Sequence, residues 1–402
     1  MATAGVEFTK KDPIERKGIE NTQVKSIKLS TPLDKGSANL EGKINRTSLQ
    51  LGMLFGKTYQ FQVETYTTLP PQDKKKIKWK YKYHSLSQNK WIEHVSKVTG
   101  EVFSVLLNNK DICGRTLHVM AYINDSDNEG YLKIWHHNRF RWFNRKTFEA
   151  ELKERTDAKM PWKVNQAGTS LCGMACIFYL FAKEQPEAYK KFAKDLFRTG
   201  EASHNNYTAK PSEEVLSKFI NGDGFPVGCG GMPIVDFVTM ASTRNTDNPK
   251  YKGGNEEVQA INWPWVVKNL SSKLLGYTNI KDKGTYNPVA AQSSTGLMYV
   301  EDRLNEIENY HNQGYKVILM VDSDLIQDIY DIDGMDYHWI VYDGGLNIEK
   351  PKSLIKKYFE NLIMFDVYSW GSNPKDKSTG YLRKKISINH FKLNYYGYII
   401  CK

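Results

Sequence analysis

Between about residue 46 and residue 145, apolar and polar positions alternate in short runs. Tyr59-Gln60-Phe61-Gln62-Val63-Glu64-Thr65-Tyr66 has period two, and so does Ile77-Lys78-Trp79-Lys80-Tyr81-Lys82-Tyr83. Glu101 to Leu107 and Thr116 to Ile123 continue the pattern, divided by turn residues such as Asn108-Asn109 and Cys113-Gly114. Period two sends successive side chains to opposite faces, so these runs predict strands. Several short strands between turns predict a β-sandwich. Residues 1–45 are polar with few large apolar positions, and predict an extended arm.

Near residue 150 the spacing changes to three and four. A helix is predicted over Leu171 to Lys183, with Thr169 or Ser170 as its cap. Pro186 opens a second helix that ends near Gly200. Its apolar face is Tyr189, Phe192, Ala193, Leu196 and Phe197, and its charged face carries Glu187, Lys190, Lys191, Lys194 and Asp195. Further helices are expected over residues 212–220, 233–242 and 265–275. Strands return at 316–321, 338–342, 362–368 and 395–400. Helices followed by a sheet is an α+β order. The chain therefore divides into a polar arm (1–45), an all-β module (46–145) and an α+β domain (150–402).

Composition adds three constraints. With 402 residues, 40% hydrophobic and 12% aromatic, the chain can bury a large core. No apolar run approaches the ~20 residues of a membrane helix. Met1 to Asp12 has no apolar segment of the secretory type, so a cytoplasmic origin is expected, with any export using a route that reads no such signal. Five cysteines (Cys113, Cys172, Cys176, Cys229 and Cys401) are odd in number and widely spaced, which argues against a disulfide framework. The net charge of +11 is uneven. Residues 1–150 hold 25 Lys+Arg against 15 Asp+Glu, and residues 151–402 hold 31 against 30. The run Lys74-Lys75-Lys76 with Lys78, Lys80 and Lys82 reads as a solvated strand face or as a surface for an acidic partner.

The chemistry concentrates in the second half. In Asn165-Gln166-Ala167-Gly168-Thr169-Ser170-Leu171-Cys172-Gly173, a glutamine stands six residues before a cysteine that opens a helix. A helix N-terminus lowers a thiol pKa, and the glutamine amide can donate to an oxyanion beside the sulfur. Cys176, one turn deeper among Ala175, Ile177 and Phe178, reads as a core thiol. His338 begins a strand-like run and can take the thiol proton. Asp343 and Asp366 compete to orient it. Asp343 would lie roughly 16 Å away along an extended strand, whereas Asp366 on a neighbouring strand can stand beside the imidazole, so Asp366 is the expected third member. Asp322, Asp324, Asp328, Asp331, Asp333 and Asp336 form an acidic approach to His338, read as solvated rather than as a calcium loop. Gly228-Cys229-Gly230-Gly231 reads as a turn. No cofactor and no metal is called for.

Gln166, Cys172, His338 and Asp366, in that order, resemble the papain-like thiol hydrolase superfamily, and Ser369-Trp370-Gly371 is similar to that family's Asn-Ser-Trp-Gly. The match departs at the cysteine, where Gly173-Met174 follows, and at the third member, an aspartate instead of an asparagine. The resemblance implies an α+β papain-like domain and a Cys172–His338–Asp366 triad with Gln166 at the oxyanion. The expected activity is that of a peptidase or amidase, with a deamidase or acyltransferase as variants. The β module resembles immunoglobulin-like domains with Trp79 as the core aromatic, without the paired cysteines. The combination is similar to bacterial effectors of type VI or related contact-dependent secretion. That implies a protein or cell-wall peptide substrate, a secretion-apparatus contact through residues 46–145, and an immunity protein. The rival is a non-catalytic binding protein on the same scaffold, with a buried, unreactive Cys172. Nucleic-acid binding through Lys78, Lys80 and Lys82 lacks an aromatic platform or helix-turn-helix pattern.

Overall fold

The computed structural model describes residues 6–7, 22–39, 49–255, 257–284, 286, 299–327, 336–350, 361–376 and 385–402. They form two compact units. The first is Met1–Thr147 with Phe197–Gly200 and Phe219–Gly224, and the second is Phe148–Leu196, Glu201–Lys218 and Phe225–Lys402.

The first unit is built of strands β1 (Val6–Glu7), β2 (Val24–Leu29), β3 (Asp34–Ser37), β4 (Leu49–Gly52), β5 (Thr58–Tyr66), β6 (Lys78–Ser85), β7 (Lys90–Thr99), β8 (Val102–Leu106), β9 (Thr116–Tyr122) and β10 (Gly130–Trp135). One sheet has the order β1-β10-β9-β6-β7, a second β2-β5-β8, and β3 pairs β4. Alternate residues of the two larger sheets meet in one core, including Tyr59, Phe61 and Val63 of β5, Trp79 of β6 and Leu117, Val119 and Ala121 of β9. Trp79 is fully buried, and its indole N–H donates to the Gly100 carbonyl at 2.7 Å.

Two expectations change here. Strands β1, β2 and β3 lie inside the stretch read as a polar arm; of that stretch, residues 1–5, 8–21 and 40–45 are outside the described residues. The register of β2 on β5 shifts twice, between Val24 and Ser26 and between Ser26 and Ile27. Such bulges break strict alternation, which hides the strand from a period-two reading. The lysine face is also not uniformly solvated. Lys80 is buried at 5% exposure, its ammonium 3.3 Å from Glu93 and 3.2 Å from Asp127.

The second unit opens with most of α1 (Arg145–Arg155), all of α2 (Cys172–Glu184) and most of α3 (Pro186–Thr199), followed by the hairpin β11 (Ala202–His204) and β12 (Tyr207–Ala209). Its main sheet joins β13 (Ile280–Asp282), β14 (Lys316–Asp322), β15 (Tyr337–Tyr342), β18 (Val367–Tyr368) and β20 (Tyr395–Cys401) in the order β13-β20-β14-β15-β18. A smaller sheet joins β16 (Asn347–Glu349), β17 (Leu362–Met364) and β19 (Ile386–Ser387) in the order β16-β17-β19. Val317, Leu319, Val321, Ile340, Tyr342, Tyr398 and Ile400 share a core with Leu304 and Ile307 of the helix Val300–Asn312. α2 packs along β15, and every residue from Cys172 to Ala182 is buried. The single strand expected over 362–368 is two, broken at Phe365-Asp366 and lying in different sheets. No helix among the described residues is long and apolar enough to cross a membrane.

Candidate active site

Cys172 is the first residue of α2. The expected side-chain cap is absent: Leu171 holds the cap position, and the Thr169 hydroxyl donates instead to the Gln166 carbonyl at 2.8 Å. The helix end is satisfied from outside, where the Asn262 carboxamide oxygen accepts the Met174 N–H at 3.1 Å. This contact explains Gly173. A Cβ there would stand 2.5 Å from the Asn262 Cβ, far inside contact distance. The Asn262 carbonyl also accepts the Trp339 indole N–H at 2.7 Å. One residue thus ties the first turn of α2 to the strand that carries His338.

His338 is the second residue of β15 and is 4% exposed. β18 pairs only Val341 and Tyr342 of β15, through Tyr368 and Val367, so the edge near His338 is released from the ladder. The chain that leaves β18 fills it. Ser369 Oγ shares a hydrogen bond with His338 Nε2 at 2.7 Å, and Trp370 stacks on the imidazole with centroids 4.1 Å apart and planes at 16°. Trp370 holds φ +43°, the left-handed region that a bulky side chain avoids. That strain, of the order of 1–2 kcal/mol, is offset by packing against His338 and the sheet core. Ala167, next to Gln166, is left-handed too, at φ +51°.

The register that brings Ser369 to His338 removes Asp366 from it. Asp343 donates its N–H to the Asp366 carbonyl at 2.8 Å, and Asp366 its own to the Gly344 carbonyl at 2.8 Å. Both carboxylates therefore sit at the Tyr342 end of β15, about 16 Å along the strand from His338. After the break at Phe365-Asp366 it is Ser369, three residues on, that meets His338. Gln166 is 3% exposed and spends one amide N–H on the Thr169 carbonyl at 2.9 Å; the second N–H is uncommitted.

Electrostatics runs against the expected lowering of the thiol pKa. Burial pushes the Cys172 thiol up to about 11, although the nearby backbone N–H groups of Trp339, Gly173 and Cys172 itself pull it down. Burial likewise lowers His338 to about 3. Desolvation disfavours either charged form and here outweighs the helix terminus. No hydrogen bond or ion pair joins Cys172 to His338 among the described residues; the Trp339 backbone N–H, next to His338 in the chain, lies against the Cys172 thiol. The resting site holds a neutral thiol and a neutral imidazole. Cys176 is fully buried, with its thiol raised well above the ordinary value by desolvation, as a core residue should be.

The loop before Cys172 rests on a buried pair. Arg155 Nη2 lies 2.6 Å from Asp236 Oδ2, which also accepts the Asn165 N–H at 3.0 Å. Gly230 of the glycine turn packs against Gly168, where an added Cβ would come within 3.0 Å of the backbone. Gly228, Gly230 and Gly231 all hold positive φ. Asp322 is buried and accepts the Tyr396 hydroxyl at 2.6 Å. Asp328, Asp331 and Asp333 lie outside the described residues, and among the described residues no cluster of His, Cys, Asp or Glu could hold a metal ion. Asn262 and Asp236 are supporting residues that sequence reasoning did not pick out, and Ser369 stood out only within Ser369-Trp370-Gly371, not as the partner of His338. Only the glycine directly after the cysteine hints at a close neighbour. Comparison with known protein families, curated proteins and solved structures returns no match.

Proposed function

We propose that this chain is a cysteine-dependent hydrolase of the papain-like kind, acting on an amide bond. The observation that carries it is the meeting, through Asn262 and Trp339, of a helix-opening cysteine with a histidine already oriented at Nε2 by Ser369. With the proton on Nε2 and Ser369 Oγ accepting it, Nδ1 is the free base. Nδ1 takes the thiol proton as Sγ attacks the carbonyl carbon. The oxyanion is met by the Cys172 N–H and the second N–H of Gln166. The imidazolium then protonates the leaving amine as the C–N bond breaks. Water, deprotonated by His338, cleaves the thioester and restores the thiol. Because both groups begin neutral, the proton moves during attack instead of resting as an ion pair.

The strand order β2-β5-β8 against β10-β9-β6-β7 supports an immunoglobulin-like reading of the first unit. Such a module beside a hydrolase supports a role as an exported bacterial effector, with the sandwich for delivery and a protein or cell-wall peptide as target. One observation favours a second reading, a binding scaffold without activity: Cys172 is only 6% exposed and His338 4%. A peptide library treated with wild-type protein, Cys172→Ala and His338→Ala, and read by mass spectrometry for new termini or deamidated side chains, separates the two. Products that require both residues support the hydrolase. Their absence, together with no acyl adduct on Cys172, leaves the scaffold.

A further inference from the structure

A cavity of about 360 Å³ opens on the second unit at the other end of α2. It is lined by Tyr179 and Lys183, seven and eleven residues beyond Cys172. At 1.5 Å per residue the latter is about 16 Å along the helix from the thiol, so this space is not the hydrolase cleft. Its size falls within the ~300–1,000 Å³ of small-ligand pockets.

The lining divides into flat apolar surface and cations. Pro161, Trp162, Pro186 and Pro374 supply the first. Arg155, Lys159, Lys183 and Lys375 supply the second, against Asp343. Two of the cations are spoken for. Arg155 is held by Asp236 at 2.6 Å. Lys183 is paired with Asp343 and donates to the Tyr179 hydroxyl at 3.2 Å. Lys159 and Lys375 form no side-chain ion pair among the described residues, so the cavity keeps an excess positive charge. Lys159 stands at left-handed φ +54°, its N–H fixed on the Thr156 carbonyl at 3.0 Å. A strained residue held at the rim of a cavity is a common feature of ligand clamps.

We infer that this cavity binds a small anionic ligand with a flat apolar body, an aryl phosphate or aryl carboxylate. Lys159 and Lys375 meet the anion, while the Trp162 ring and the prolines cover the flat part. Trp and Pro faces favour a ring over a bare ion, and unpaired ammonium groups favour the charged head.

The test is calorimetric titration of the full chain at low salt with phenyl phosphate, benzoate, inorganic phosphate and benzyl alcohol. Phenyl phosphate or benzoate is expected to bind saturably, with inorganic phosphate and benzyl alcohol each about tenfold weaker or more. The double variant Lys159→Ala/Lys375→Ala is expected to lose about tenfold, and raised salt to weaken binding further. Cys172→Ala is expected to bind as wild type, so a failed hydrolase mechanism leaves this result intact. Absence of saturable binding of both aryl probes would overturn the inference. So would binding indifferent to the lysine substitutions, or inorganic phosphate binding as tightly as phenyl phosphate. A matching thermal melt of the double variant shows that a loss is not unfolding.

Discussion

At the scale of single residues, the proposed mechanism depends on which side chain holds His338. Ser369 reaches Nε2 at 2.7 Å, and Asp366 sits at the opposite end of the strand. Removing one orienting hydrogen bond is worth ~1 kcal/mol, so Ser369→Ala should lower kcat/KM about fivefold to tenfold, while Asp366→Asn should stay within about twofold. The reverse order would restore the aspartate as third member. The titrations follow from the same burial. With His338 at about 3 and the Cys172 thiol at about 11, the competent neutral pair persists across the whole interval. The kcat/KM profile should therefore be flat from pH 5 to 9. A bell centred near neutrality would mean a preformed ion pair. The helix start at Cys172 and the strand start beside His338 were legible in the sequence because each opens a regular element of clear periodicity. Ser369 stood out only as part of Ser369-Trp370-Gly371; its contact with His338 was not legible, because it depends on where β18 stops pairing, and no pattern of apolar positions marks that point.

At the scale of elements, the long amphipathic or apolar runs were read closely. α2, α3, β14, β15 and β20 each fall within a residue or two of the periodicity. Among the elements that escaped are the helix Val300–Asn312, whose buried face is only Val300, Leu304 and Ile307, and β2, whose bulges scramble the alternation. The cap of α2 was misassigned because a tertiary acceptor, the Asn262 carboxamide oxygen, replaces the local one. That contact gives the element-scale prediction. Gly173→Ala forces a methyl into the Asn262 side chain at 2.5 Å, and overpacking of this sort costs roughly 1–3 kcal/mol. Asn262→Ala leaves the Met174 N–H unpaired, at roughly 1–3 kcal/mol. In urea unfolding, Gly173→Ala should recover part of its loss when combined with Asn262→Gly, since that change removes the Cβ the new methyl meets at 2.5 Å. Strict additivity of the two would show that they do not meet.

At the scale of the whole molecule, each unit carries a buried neutral histidine: His136, lowered to about 4 by desolvation, and His338, lowered to about 3. Both folded values lie below the ~6.5 of an unfolded histidine. The unfolded chain therefore binds the extra proton first as pH falls. Stability is full above about pH 6.5 and declines below it, by up to ~1.4 kcal/mol per pH unit for each group. Urea midpoints should drop between pH 7 and 4 in both units, and His338→Gln should flatten the decline of the second unit only. The measurement that bears most directly on the central claim is the rate of Cys172 alkylation by iodoacetamide from pH 5 to 10, mapped by mass spectrometry, in wild type and His338→Ala. If His338 is the base for Cys172, the wild-type rate is nearly independent of pH, and the variant is slower and rises about tenfold per pH unit toward the thiol pKa. If both rise together with the same slope and the same rate, Cys172 is a buried thiol without a partner and the hydrolase account is wrong.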